Sequence, residues 1–485
     1  MPVSGKSKPN ILMIMTDQHR FDALSCAKGG IPRTPSIDRI AEQGVRFANA
    51  YAASPVCAPS RAALKSGMYP PGCGVVQNWV EFKEDIPLMT HRLKALGYET
   101  AMVGKLHFVP AEDDFGFDWK MLNDAPYSIY ANDDKHSAYI KWLREKYYKD
   151  RDDDPVALFD KDELLFHKDD WYEFLMGSNF RTEEEHDIPW TTQESLRYLD
   201  ERDPEKPFFL FASYFGPHQP FDPPAPWNGL YDPAEVAPPP QYDVDMSGNP
   251  IFQARCAERA RINAETWDWE TYQKMIAAYY GQVSMLDHYI DRLFQRLREE
   301  GLWDDTLVIF VGDHGDHNGA YGLFTKGQMY DSCCKIPMLV KPPRSDVRGV
   351  VRQENVNIID LYGTVLDFAG DTEWTQPQIE ARSLAPLIEG RSAEWDNHTY
   401  SIIGQDPQDN LTMLRRDDMK LSRLAQGPEE ALYELYDMTD AVVEVRNVYD
   451  DPRYREVRDA LKAELDAWWR EQAAKYPKEI KSHRV

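Results

Sequence analysis

A cysteine, a proline and an arginine stand close together in Cys57-Ala58-Pro59-Ser60-Arg61-Ala62, between the loop residues Ser54-Pro55-Val56 and a run from Ser60 to Lys65 that reads as a helix start. Residue 57 is therefore expected near a helix N-terminus, where free backbone N–H groups and the helix dipole favour an anion. Its bland alternative is a small apolar cysteine packed before a helix, since free cysteine is commonly buried. Chemistry gains weight from two acids elsewhere. Asn10 to Met15 is an apolar run suited to a buried parallel strand, and Thr16-Asp17-Gln18-His19-Arg20 follows at once. Thr306 to Val311 is a second such run, β-branched and apolar, and it leads into Gly312-Asp313-His314-Gly315. Ligands of open α/β sheets bind outside the carboxyl ends of the strands, so Asp17 and Asp313 can meet there on one cation.

Three more short blocks lie along the chain: Gly104-Lys105-Leu106-His107, Gly216-Pro217-His218 and Lys326-Gly327. Each alone marks a loop or an ordinary histidine more often than catalysis. Taken in order with Asp17-Gln18, Cys57 to Arg61 and Asp313-His314-Gly315, they make the chain resemble the type I, formylglycine-dependent sulfatases of the alkaline phosphatase superfamily, from about Pro9 to the C-terminus.

The resemblance implies a fold, a cofactor set and a division of labour. The fold is α/β, with a large mixed, mostly parallel sheet sandwiched by helices and a small C-terminal antiparallel sheet plus helix. Cys57 is implied to be oxidised to formylglycine by a formylglycine-generating enzyme. One divalent metal is implied, bound by Asp17, Gln18, Asp313, His314 and the modified residue 57, with a packed loop amide as the alternative role for Gln18. Lys105 and Lys326 are implied to bind sulfate oxygens, and Arg61 to position the formylglycine. His218, sharing the task with Lys326, protonates the leaving oxygen, and His107 takes the second hydroxyl proton. The expected reaction is hydrolysis of a small-molecule sulfate monoester. One hydroxyl of the aldehyde hydrate attacks sulfur to give a covalent sulfo-enzyme; loss of the other hydroxyl proton then reforms the aldehyde and expels sulfate.

Two positions depart from many sulfatases, which carry a second aspartate at Gln18 and an asparagine at His314. The Asp-Gln and Asp-His pairs look more like choline sulfatases and phosphonate monoester hydrolases. Calcium is the ion the family implies, while the imidazole brings in manganese, because nitrogen donors suit transition ions. A phosphonate monoester hydrolase or phosphodiesterase using the same site is thus the second reading. An unmodified Cys57 would leave a metal- and anion-binding protein without turnover.

Composition fits a large enzyme. The chain has 485 residues, 42% of them hydrophobic, with 13 Trp and 26 Tyr, enough to bury an extensive interior. A formal charge of −26 argues against nonspecific nucleic-acid binding and offers no long-range help with an anionic ester, so any cationic pocket must act locally. The six cysteines (26, 57, 73, 256, 333 and 334) form neither a disulfide framework nor a zinc pair. Neither a signal-peptide core nor a membrane-length apolar run is seen, which points to a cytoplasmic enzyme. A homo-oligomer built through the C-terminal region is left open.

The positioning elements follow from pattern. Helices are expected over Pro35 to Ala41 and Met89 to Leu96, the latter closed by Gly97. Residues 110–188 form an inserted, partly irregular segment within an α/β catalytic domain of residues 1–394. Its acid runs Asp133-Asp134, Asp152 to Asp154 and Glu183 to Glu185 alternate with Tyr127, Tyr130, Trp142, Trp171 and Tyr172, some of which are expected at the pocket entrance and most in packing. A strand at Phe208 to Ser213 carries His218 on its exit loop, and the proline-rich stretch Pro217 to Pro240 is expected to wrap the pocket without helix. Tyr279, Val283, Leu286, Ile290, Leu293 and Leu297 recur at helical spacing from about Tyr272 to Glu300. Residues 395–485 read as a C-terminal α+β subdomain of four short strands and a helix near Tyr454 to Trp469, in which Glu434 to Asp437 is expected to open the sheet.

Overall fold

Strand β1 (Asn10–Thr16) is buried along nearly all its length, as a strand covered by helices on both faces must be. Its side chains alternate between two cores: Ile11, Met13 and Met15 face one, Leu12 and Ile14 the other. The computed structural model describes residues 8–27, 30–124, 137–149, 175–176, 182–391, 394–427, 430–440 and 442–482. Around β1 lie β2 (Val45–Tyr51), β3 (Glu99–Gly104), β4 (Trp119–Leu122), β5 (Phe208–Tyr214), β6 (Thr306–Gly312), β7 (Met338–Lys341) and β8 (Val350–Asn357). They form one sheet in the order β4-β3-β5-β1-β6-β7-β2-β8. Only β7 runs against its neighbours; the other adjacent pairs are parallel.

The first core is covered by helices α2 (Cys57–Ser66), α3 (Met89–Ala95) and α6 (Asp360–Ala369). The second is covered by α1 (Pro35–Glu42), α4 (Asp187–Glu201) and α5 (Trp269–Glu299), with Leu286, Ile290, Leu293 and Leu297 of α5 fully buried. The helical spacing had marked that face. Beyond them, β9 (His398–Asp406), β10 (Asp409–Arg416), β11 (Met419–Ala425) and β12 (Ala431–Asp437) make an antiparallel sheet in the order β12-β11-β10-β9, flanked by α7 (Arg455–Lys475). Leu414, Leu421, Leu435, Leu461 and Leu465 from this region join the same core as α2, so two sheets share one interior there.

Three expectations need correction. α2 begins at Cys57 rather than Ser60, because Val56 in an extended conformation ends the loop and Pro59 is tolerated within a first turn. Glu434 to Asp437 belongs to β12, the last strand of its sheet in the chain and an edge in space, so it closes that sheet. Within residues 110–188, β4 pairs in parallel with β3, and Ala138–Lys146 is a helix. Four residues interrupted by Lys120 carried too little apolar signal, and pairing with β3 supplied the rest. The proline-rich stretch holds two single turns of 3₁₀ helix, Trp227–Gly229 and Pro233–Glu235. Trp142 packs against a cluster with Tyr139 and Trp190. Tyr127, Tyr130, Trp171, Tyr172 and the acids at 133–134 and 152–154 lie outside the described residues.

Candidate active site

Four adjacent strands, β3, β5, β1 and β6, end at one edge and deliver the chemistry there. Lys105 directly follows β3, Phe215 to His218 follow β5, Asp17 and Gln18 follow β1, and Asp313 and His314 follow β6. Cys57 is the first residue of α2, whose N-terminus faces this edge.

The two carboxylates are oriented from behind. Arg61, one turn into α2 and 1% exposed, donates from Nε to Asp313 Oδ2 at 2.8 Å and from NH2 to Asp17 Oδ2 at 3.1 Å. Its NH1 donates to the Lys105 carbonyl at 2.6 Å and to Ser213 Oγ at 2.7 Å. Lys105 Nζ reaches Asp17 Oδ2 at 2.6 Å and lies over the Phe215 ring. With their Oδ2 atoms engaged, both acids present Oδ1 to His314 Nε2, each at 3.7 Å. The Cys57 thiol stands 3.1 Å from His314 Nε2 and 3.7 Å from Asp17 Oδ1. Burial opposes the charge on Asp17, but Lys105 above all, with Arg61 and Lys326, holds its carboxyl well below the usual range.

This arrangement fits a divalent cation. The ligand atoms of Asp17, Cys57, Asp313 and His314 all lie within 4.8 Å of one another. His314 donates from Nδ1 to the Gly315 carbonyl at 2.9 Å, which fixes the ring and turns the Nε2 lone pair inward, as metal-binding imidazoles require. Burial works against a proton on His314, yet Asp313 and Cys57 raise its pKa, so a cation and a proton compete for Nε2. The thiol responds to the same field: burial and Asp17 push it up, and Lys105, Lys326 and His314 outweigh them to leave it below its ordinary value.

The remaining predicted residues surround this centre. His107 is buried with a left-handed φ of 65°, its backbone N–H held by Asp124 Oδ1 and its ring edge-on to Trp79. Neither ring nitrogen has a hydrogen-bond partner among the described residues, and burial with Lys105 and Arg61 keeps its pKa well below the ordinary value. His218, half-buried, pairs its Nδ1 with the Gln219 carbonyl at 2.7 Å; burial and Lys326 push its pKa well down as well. Both imidazoles are therefore neutral in the resting protein. Lys326 donates to Gln18 Oε1 at 2.5 Å. Gln18 is expected as a metal ligand, but its side chain turns to Lys326, Gln219 and Asp316 instead of toward His314.

Several contributors were missed by sequence reasoning. Ser60 Oγ donates to the Asp313 carbonyl, Ser213 accepts from Arg61, Asn78 accepts the Ala58 N–H, and Asp316 accepts from Gln18. Ser60 lies inside the cysteine motif and Asp316 three residues after Asp313, which were the available signals. Ser213 and Asn78 had none.

Comparison with known proteins gives the family of the chain. The sulfatase family model matches residues 9–371, and a model of the C-terminal region of N-sulphoglucosamine sulphohydrolase matches residues 319–471. An arylsulfatase of Clostridium perfringens is 30% identical over 475 residues, covering 94% of this chain and 93% of the relative. A choline-sulfatase of Rhizobium meliloti is 25% identical, covering 92% of this chain and 83% of the relative. The solved structure of a phosphonate monoester hydrolase from Silicibacter pomeroyi superposes with a TM-score of 0.78 at 22% identity, covering 98% of this chain and 99% of that one, a likeness of fold. The chain belongs to the sulfatase family, the sulfuric ester hydrolases of the alkaline phosphatase superfamily.

Proposed function

We propose that the protein hydrolyses sulfate monoesters to an alcohol and inorganic sulfate at residue 57, matured from cysteine to formylglycine by a formylglycine-generating enzyme. The observation that carries the reading is the convergence of Cys57, Asp17, Asp313 and His314 at the N-terminus of α2, ringed by Lys105, Lys326, His107 and His218. When hydrated, formylglycine supplies two hydroxyls, one to attack sulfur and one whose deprotonation returns the aldehyde and frees sulfate. A divalent cation held by Asp17, Asp313, His314 and residue 57 supplies positive charge that makes a hydroxyl more acidic.

The chain's own groups do the rest. Lys105 and Lys326 bind sulfate oxygens and meet the charge that grows as the S–O bond breaks. Arg61, donating to Asp17, Asp313, the Lys105 carbonyl and Ser213, keeps the two carboxylates beside residue 57 aimed and so helps position it. His107, neutral and without hydrogen-bond partners on its ring, is suited to accept the hydroxyl proton. His218 starts neutral, so an anionic ester beside it must raise its pKa before it can protonate the leaving oxygen, with Lys326 as the proton reserve.

The carboxylates suit calcium and the imidazole draws the site toward manganese. That imidazole also supports the second reading, a phosphonate monoester hydrolase on the same groups. The six cysteines are all free, which suits a reducing compartment and supports a cytoplasmic location. No helix among the described residues is long and apolar enough to cross a membrane. The test is mass spectrometry of the residue 57 peptide together with metal analysis, after coexpression with the maturing enzyme. An aldehyde and one divalent cation per chain are expected. An intact thiol in a protein that still turns over would remove formylglycine, and an intact thiol without turnover would leave a binding protein.

A further inference from the structure

The loop from Asp316 to Gly327 carries Lys326 back to the centre through a run of left-handed residues: Asn318, Gly319, Tyr321, Gly322, Thr325 and Gly327 all have positive φ. Thr325, directly before Lys326, has a φ of 69°, a conformation that a β-branched residue adopts only when its surroundings enforce it. Asp316 is the enforcing group. Fully buried, it accepts the Thr325 N–H at 3.1 Å and the Asn318 N–H at 2.5 Å, tying both ends of the loop to one carboxylate. Arg20 secures the Asp316 backbone, donating from NH1 to the carbonyls of Asp316 and His317.

The same carboxylate accepts a short hydrogen bond from Gln18 Nε2. Lysine can only donate, and both Asp316 oxygens already serve as acceptors for the Asn318 and Thr325 N–H groups, so the amide between them has one orientation: Nε2 toward Asp316, Oε1 toward Lys326. Gln219 Oε1 accepts the second Nε2 proton at 2.6 Å, so both Nε2 protons and one Oε1 lone pair of Gln18 are engaged by Asp316, Gln219 and Lys326.

We propose that Asp316 is a positioning residue for Lys326, acting through Gln18 as a polarised relay, and that Gln18 in this chain is no metal ligand. The proposal rests on the active-site reading above, in which Lys326 contacts the sulfate. An asparagine at 316 would present an amide to Gln18 and let its side chain reverse, setting Nε2 against the Lys326 ammonium and displacing it.

The experiment is a double-mutant cycle on the metal-loaded enzyme with para-nitrophenyl sulfate, using Asp316→Asn, Lys326→Ala and their combination. Asp316→Asn is expected to lower kcat/KM about 10- to 100-fold, and the double variant to be no worse than Lys326→Ala alone. Losses that multiply would mean that Asp316 only supports the fold, and would overturn the proposal. Wild-type rates in Lys326→Ala would instead remove Lys326 from the active site, and with it the reading on which the proposal rests. Two further variants guard against a folding defect. Gln18→Glu combined with Asp316→Asn restores a donor-to-acceptor match at both contacts and should recover activity lost in Asp316→Asn; no recovery would count against the relay. Gln18→Ala should retain its full complement of bound metal by elemental analysis, whereas loss of the metal would make Gln18 a ligand and overturn the second half of the proposal.

Discussion

Lys65 lies two turns below Cys57 on α2, following it and Arg61 at four-residue steps, and replacing it with methionine should stabilise the protein in a pH-dependent way. The side chain is 1% exposed and its amine has no hydrogen-bond partner among the described residues. Nζ lies 3.7 Å from the centroid of Phe211, 4.7 Å from Phe209 and 5.2 Å from Phe117, so its surroundings are hydrocarbon. Burial, and secondarily the Arg61 guanidinium, push its pKa well below 10.5. Between the lowered native pKa and 10.5 the unfolded chain carries a proton that the native state lacks, so native stability is diminished below that range and recovers as pH rises toward 10.5. Each unit of depression costs about 1.4 kcal/mol. Lys65→Met removes that cost while keeping the length of the side chain. Urea unfolding of both proteins across this pH range is the assay: the variant should be more stable near neutrality, and its advantage should shrink by up to about 1.4 kcal/mol per pH unit. Activity should be preserved, since Lys65 touches neither residue 57 nor the carboxylates. Parallel stability curves would show a lysine that remains charged, held by the three ring faces, and would refute the reasoning.

Cys57→Ala should lose all turnover of sulfate esters while keeping its circular dichroism spectrum; wild-type rates in that variant would exclude residue 57 as nucleophile. His218→Ala should slow an alkyl sulfate about 10²- to 10⁴-fold and para-nitrophenyl sulfate much less, because only the poor leaving group needs a proton; equal losses would remove His218 from the acid role. Chelation should abolish activity and lower the unfolding temperature, since the cation stabilises the native state in proportion to its binding, and both should return with added calcium or manganese. An unfolding temperature indifferent to chelator would contradict metal binding at Asp17, Asp313 and His314.

The strand-end acids were legible because an apolar run followed at once by a carboxylate fixes both the element and the place of the acid on it. The long helix α5 was legible because six apolar residues kept its period. What stayed hidden depends on chain segments far apart in sequence. Arg61 stood in a recognisable motif, yet its work as a strut between Asp17 and Asp313 emerges only when β1 and β6 lie side by side. Gln18 could be a ligand or a packed amide until the loop after β6 brought Asp316 and Lys326 to it, across about three hundred residues of chain. The neutrality of His107 and His218 was equally out of reach, because it comes from burial and from cations that the fold gathers around them, Lys105 and Arg61 beside His107 and Lys326 beside His218.

The central claim is that this centre transfers the sulfuryl group of a monoester. It is tested most directly by comparing initial rates on para-nitrophenyl sulfate and on a phenylphosphonate monoester, using one metal-loaded preparation coexpressed with the formylglycine-generating enzyme. The account predicts a large preference for the sulfate. A preference for the phosphonate, in a preparation whose residue 57 is an aldehyde, would contradict it and make the protein a phosphonate monoester hydrolase built on the same groups.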